Sequence, residues 1–447
     1  MENGKGLLDG VVVLDLGRVL ACPYAAVLMA DLGATVIKIE NPKGGDDTRK
    51  MGPFINGNSV YYTNFNRSKV GITLNLKEPE GKEIFKEMVK KADVVLENYR
   101  PGTMEKLGLG YDVLKEINPG IVYGSVSGFG HTGPLSKRAG YDIVGQAMGG
   151  LMSITGWPGG SPTRSGTAIG DVLAGLSLTI GVEAAYINAQ KTGEGDSCDV
   201  AQYDTMFRLL DYYPAKWFNY PNGYPKAGEP VPYRTGNKHD MACCFSFYDT
   251  KDGGSMFVAI AGQGPVSRGY PIIGMGKQGV DFPDKCTGIP LYDPLGQKAE
   301  RLCEKFCAEH TLDELEAIFN KAGVPCQRAY GPEDILNDPQ YEARENLVEW
   351  EDQCFGKMKG IGVTNIFKKH PSQIVCASPC FGEHNREVLA DFGYTEDEIN
   401  AMYKSGDLAT WTPKQTAINK QYVEWRFFWD PENQAKRLGM DYPPKRG

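Results

Sequence analysis

The chain has 447 residues, 41% of them hydrophobic and 23% charged, a globular composition at a length that calls for two domains. Its net charge of −8 and pI near 5.4 give no basic surface for nucleic acid or anionic lipid. The opening Met-Glu-Asn-Gly-Lys-Gly lacks the pattern of a signal peptide, no apolar run approaches a transmembrane helix in length, and the 11 cysteines read as reduced thiols of the cytoplasm.

Residues 10–16 are β-rich, the small apolar residues that follow read as a helix to Leu32, and 34–40 form a second strand ending on Glu40. A helical period over 79–91 precedes strand-like segments at 92–97 and 120–127. This alternation predicts an α/β fold with a doubly wound, mostly parallel sheet and helices on both faces. Residues 171–188 are helical in pattern, and 195–201 bring a further strand and then a helix. From 211 to 236, Tyr212, Tyr213, Trp217 and Phe218 stand among five prolines, which predicts an irregular linker. A smaller α/β domain follows, with strands at 244–248 and 255–261 and helices at 296–309 and 312–322. Thr311 and Glu314 form a capping box for the last helix, and Gly323 with Pro325 ends it. The tail 411–447 is charged and aromatic, and is expected to pack on its own or a partner subunit.

The first β-α-β unit imitates a dinucleotide-binding domain, but Gly17-Arg-Val-Leu-Ala-Cys lacks the spaced glycines of a phosphate-hugging turn. Cys303/Cys307 and Cys376/Cys380 lack the tight spacing of zinc ligands, so no metal site is expected. His131, in a glycine-flanked turn after a strand, reads as support for that loop and not as a base. Asp171 follows Gly170 and precedes an apolar helix. It is placed to act as an N-cap, or as a carboxylate nucleophile kept ionised by the helix N-terminus, and the two roles are compatible.

Beyond these residue-level readings, the ordered segments Ala21-Cys-Pro-Tyr…Asp31-Leu-Gly-Ala-Thr-Val-Ile-Lys-Ile-Glu40, Asn66-Arg-Ser-Lys-Val-Gly-Ile-Thr-Leu-Asn-Leu-Lys77, Asp93-Val-Val-Leu-Glu-Asn-Tyr-Arg-Pro-Gly102, Tyr141-Asp-Ile-Val-Gly-Gln146, Gly170-Asp171 and Asp199-Val-Ala resemble family III CoA transferases. That group includes formyl-CoA, carnitine and bile acid CoA transferases. The resemblance implies an enzyme that moves coenzyme A between carboxylic acids through a thioester on a catalytic aspartate, Asp171, with CoA and acyl-CoA as substrates and no separate cofactor. It implies an interlocked homodimer, with a large Rossmann-like CoA-binding domain of residues 1–210 and 331–447, a linker at 211–239 and a small domain at 240–330. The CoA contacts carry over to Val19, Leu20, Leu74, Lys77, Asn98, Tyr99 and Lys106, the last standing where some relatives have arginine. Ala261-Gly-Gln-Gly264 is a loose counterpart of the family's glycine-rich loop. Arg234-Thr-Gly-Asn-Lys238, Phe245-Ser-Phe-Tyr248 and Phe381-Gly-Glu-His-Asn-Arg386 look most similar to the bile acid branch, with the carnitine or gamma-butyrobetaine branch next. An acyl-CoA hydrolase and a non-catalytic CoA-binding protein are the alternatives from other classes.

Overall fold

A computed structural model describes residues 6–55, 58–219, 234–372 and 374–410; most of the aromatic linker and the whole 411–447 tail lie outside them. The chain divides into two compact units, 1–151 with 166–211 and 340–447, and 152–165 with 212–339.

The first unit is built on a sheet of six parallel strands: β1 (Val12–Asp15), β2 (Thr35–Glu40), β3 (Val70–Thr73), β4 (Val94–Glu97), β5 (Val122–Ser127) and β6 (Ser197–Ala201). Their order across the sheet is β3-β2-β1-β4-β5-β6. The chain moves outward from β1 in one direction and then resumes on its other side at β4. The crevice outside the carboxyl ends of β1 and β4 is therefore the topological switch point, where open α/β sheets bind ligands.

Alternation along the strands sends side chains to two separate cores. Leu14, Ile37, Ile72 and Val95 meet Ile84, Phe85 and Met88 of α2 (Pro79–Val89) and Val388 and Ile399 of two helices near the C-terminal end. Val13, Val36, Val94 and Leu96 meet Ala25, Ala26 and Met29 of α1 (Ala21–Asp31) on the opposite face. That second layer also holds Ala174, Leu178 and Val182 of α5 (Ile169–Thr192), which follows α3 (Thr103–Leu107) and α4 (Asp142–Met148). At Gly175 of α5 a Cβ would stand 2.6 Å from the Ala21 carbonyl, so glycine lets the two backbones close up. With 24 residues, of which an 18-residue window has a mean hydropathy of 1.4, α5 is long and apolar enough to cross a membrane, contrary to the sequence expectation; its inner face is buried in the core and its first turn carries Asp171.

In the second unit, β7 (Phe245–Asp249), β8 (Ser255–Ala259) and β9 (Cys326–Arg328) form an antiparallel sheet backed by α9 (Pro294–Ala308) and α10 (Leu312–Ala322), after α6 (Gln202–Arg208) of the first unit, α7 (Tyr213–Asn219) and α8 (Gln263–Ile272). Thr311 and Glu314 exchange their capping hydrogen bonds, and Gly323 ends α10 in the left-handed region at φ 63°. Gly262, at φ 89°, leads into α8. The helix α7 lies in the stretch expected to be irregular. Pro214 sits in its first turn, where a missing N–H removes no helix hydrogen bond. Residues 152–165 belong to this unit, where the Arg234 guanidinium donates to the carbonyls of Ser153 (3.1 Å) and Gly160 (2.6 Å).

Candidate active site

The β1–α1 loop is built over buried charge. Lys38 and Lys69 are fully buried beneath it, and both meet Asp15 at the end of β1. Lys69 reaches Asp15 Oδ2 at 2.8 Å, the Pro23 carbonyl at 3.0 Å and Asn66 Oδ1 at 3.1 Å. Lys38 donates to Asp46 Oδ2 at 2.9 Å and to the Gly17 carbonyl. Burial opposes the Lys38 cation, but Asp15, Asp46 and Glu40 outweigh it and raise its pKa; the burial of Lys69 dominates and lowers its pKa. Asp46 also accepts from the Val19 N–H at 3.2 Å. Val19 is held at φ 65°, a strained conformation for a β-branched residue. Asn98, just past β4, clamps the loop from the other side: Oδ1 accepts from the Arg18 N–H and Nδ2 donates to the Arg18 carbonyl, both at 2.7 Å.

Two cavities open on this loop and share Arg18, Asp47, Tyr99 and Thr103 in their walls. One, about 450 Å³, is lined by Leu74, Leu76, Lys77, Lys43 and Lys50, an apolar floor with cations around it; the acids on the same wall, Glu40, Asp46 and Asp47, are paired with Arg49, Lys38 and Arg18. The other, about 430 Å³, runs past Val19, Leu20 and Asn98 to Gly128, Gly140, Gln202 and Asp171. Tyr99 is anchored through its N–H, which donates to Glu97 Oε2 at 2.6 Å, and burial pushes the Glu97 carboxyl up to about 8. Glu40 ends β2 where a ribose-binding acid would stand, but it is paired with Arg49, Oε2 with Nε at 2.8 Å and Oε1 with a terminal nitrogen at 2.6 Å.

Asp171 does not cap its helix. The N-cap position is Ala168, and the first turn is capped from α4, where Asp142 Oδ1 accepts the N–H groups of Gly170 (2.7 Å) and Asp171 (3.3 Å). The Asp171 side chain turns instead to Gln202, whose Nε2 donates to Oδ1. Nor is the carboxylate held ionised as the helix N-terminus suggested. Burial first and the Asp142 charge second raise its pKa from 3.8 to about 7, with Gln202 acting in the opposite sense. A carboxyl of this kind, half-buried at the end of a groove whose far part is ringed by cations, is chemically suited to attack an acyl group on an anionic carrier.

The model of CoA-transferase family III matches residues 8–385. The chain belongs to this family. This family III CoA transferase is 40% identical over 416 residues to Bile acid CoA-transferase BaiK of Clostridium scindens, covering 92% of the chain and 91% of that relative. It is 34% identical over 399 residues to the Succinyl-CoA--D-citramalate CoA-transferase of Chloroflexus aurantiacus, covering 88% of the chain and 96% of the relative. The crystal structure of a CAIB/BAIF family protein from Brucella suis matches with a TM-score of 0.71 at 32% identity, over 88% of the chain and 100% of that structure.

Of the residues singled out from sequence in this CoA transferase, Leu74, Lys77 and Tyr99 line the first cavity and Val19, Leu20, Asn98, Tyr99 and Asp171 the second. Lys106 is exposed on α3 and lines neither, although Thr103 and Leu107 of the same short helix line the first. His131 also lines neither; its backbone N–H donates to Asp199 Oδ2 at 2.7 Å. Sequence reasoning missed Asp142 and Gln202. Asp142 stood inside the family segment Tyr141–Gln146 with no role attached to it, and the signal the two share is position, each opening a helix, Gln202 directly at the carboxyl end of β6.

Proposed function

We propose that this CoA transferase carries CoA on Asp171 and takes bile acids as substrates. The carrying observation is the placement of the Asp171 carboxyl in the cavity that shares Arg18, Asp47, Tyr99 and Thr103 with the cation-ringed one. The adenosine and phosphates of CoA would occupy the cation-ringed cavity over Leu74 and Lys77, and the pantetheine arm would pass Tyr99, Asn98, Val19 and Leu20 toward Asp171. Lys106, charged and one helical turn from Thr103, would reach the phosphates only from the rim.

The steps follow from the carboxylate. Asp171 attacks the donor thioester carbonyl, giving a mixed anhydride and CoA thiolate. The thiolate attacks the aspartyl carbonyl, which releases the donor acid and leaves CoA in a thioester on Asp171. An acceptor carboxylate attacks that carbonyl to form a second anhydride and thiolate, and the thiolate then takes the acyl group, restoring the Asp171 carboxylate. Thioester energy is conserved throughout, so the scheme calls for no metal, nucleotide or other cofactor. The Lys38 and Lys69 network supports the loop that the carrier crosses without entering the chemistry.

Bile acids are favoured among acceptors by the 40% identity to BaiK. A short dicarboxylic acid is the second reading, favoured by the D-citramalate enzyme. A homodimer, interlocked as in the family resemblance, is proposed as well; Leu176, Ile180 and Ile187 of α5, 37%, 68% and 54% exposed, put apolar side chains on one outer helix face. A cytoplasmic location is inferred from the cysteine usage.

Purified enzyme incubated with cholyl-CoA and a second bile acid is expected to give the second acid's CoA ester, and hydroxylamine added during turnover to inactivate it with a hydroxamate on Asp171. Turnover of succinyl-CoA or carnitinyl-CoA with no steroid thioester consumed would overturn the bile acid assignment. Release of free CoA without transfer would turn the reading to a hydrolase.

A further inference from the structure

We propose that Gln202 is a positioning residue for the nucleophile, its side-chain amide holding the Asp171 carboxyl in place by presenting the donor end to the ionised form and the acceptor end to the protonated one. The inference deepens the reading of Asp171 as nucleophile and rests on it.

Gln202 is the first residue of α6, only 5% exposed, and lies with Asp171 on the wall of one cavity. Its Nε2 donates to Asp171 Oδ1. Its Oε1 is buried with no hydrogen-bond partner. An acceptor stranded in this way is a net cost to the fold. A leucine or methionine would fill the same space without that penalty, so a buried glutamine here calls for a use of both ends. The geometry supplies one. An ionised carboxylate only accepts, which suits Nε2. A protonated one carries an O–H donor, and a half-turn of the amide brings Oε1 to meet it. The anhydride and thioester carbonyls formed on Asp171 are acceptors again and return the amide to its first orientation.

Both forms of Asp171 are populated near neutrality, because its pKa lies at about 7. The two orientations are not equal in strength: N–H to carboxylate is charge-assisted and roughly twice as strong as the neutral bond. On balance the amide therefore favours the nucleophilic form. Asp142 on α4 opposes it, and Tyr61 senses the same charge. Arg18, Arg100, Arg138 and Tyr141 share the cavity wall. Tyr24 of α1 and Cys198 of β6 meet α5 further along, at Gly175 and Gly181.

The test is the pH dependence of single-turnover thioester formation in Q202M, with Q202L as the second variant should the first fail to fold. The acid limb is expected to move up by about one pH unit, with a roughly fivefold loss at pH 7 that is recovered in more alkaline buffer. KM for the donor should change less than about twofold, since uniform binding is untouched. A folded variant with the parent's pH profile, or a loss equal at every pH, overturns the inference while a hydroxamate on Asp171 leaves the nucleophile reading standing. A hydroxamate found on another residue instead sinks the nucleophile reading, and this inference with it.

Discussion

Asp171 shows how a site can be costly to its own protein. Its pKa rises from 3.8 to about 7 because the folded chain buries it and sets Asp142 beside it. Below the ordinary value the group is protonated in both states. Between about 4 and 7 only the unfolded chain ionises it, so stability falls as pH rises through that window and levels off above it. The ionised group therefore costs the fold on the order of 2–4 kcal/mol above pH 7, screening by the cavity solvent favouring the lower figure. Asp171→Asn should accordingly melt higher than the parent at pH 8 and nearly level with it at pH 4, while losing transfer activity; equal melting temperatures at pH 8 would refute the buried-charge account. Asp142 has the complementary role. Asp142→Ala removes the only side chain accepting from the Gly170 N–H among the described residues, and should cost about 1 kcal/mol, read from denaturant unfolding.

At the scale of elements, the decisive piece is the loop between β1 and α1. It has no phosphate-binding glycine fingerprint, and its shape comes from side chains elsewhere in the chain. Asp46 and Lys38 hold it from below and Asn98 from the side, with Val19 strained at its tip. Asn98→Ala frees both backbone groups of Arg18. The expected result is a several-fold rise in KM for the acyl-CoA donor with a smaller change in kcat, because a loop that must be reordered weakens ground-state and transition-state binding alike. Unchanged KM would mean that the Lys38 and Asp46 side is sufficient. Helix α5 makes the converse point. Its pattern is close to uniformly apolar since one face packs on the sheet while Leu176, Ile180 and Ile187 look outward.

For the molecule as a whole, that outward face bears on assembly. Ile180→Glu places a charge in the centre of the apolar row, and should lower the yield of the proposed dimer on refolding from denaturant, read by light scattering, since an interlocked pair assembles as it folds. A dimer yield equal to the parent's would remove this face from the interface. The parallel sheet needs both faces covered, and α2 with the two C-terminal helices covers the one that α1 and α5 leave open. This is why the chain returns to the first unit after residue 340.

Much of this was legible in the amino-acid order. The strands at 12–15, 35–40, 94–97, 122–127 and 197–201 and helices at 79–89 and 312–322 carry periods and caps that act over a few residues, and quoted segments of the chain carried the family likeness. What lay beyond reach was pairing across distance. Nothing in the sequence marked Lys38 and Lys69 as buried, because a lysine is buried only where carboxylates arrive in space to meet it, here Asp15 and Asp46. Asp171 looked like a cap in sequence, since aspartate near a helix start usually is one; the tertiary structure gave that task to Asp142, 29 residues earlier, and turned Asp171 toward Gln202, 31 residues later. Local order determined where a carboxylate would stand. Only the packing of α4, α5 and α6 decided its partners and its charge, because desolvation and hydrogen bonding depend on what surrounds a group in space and not on what precedes it in the chain.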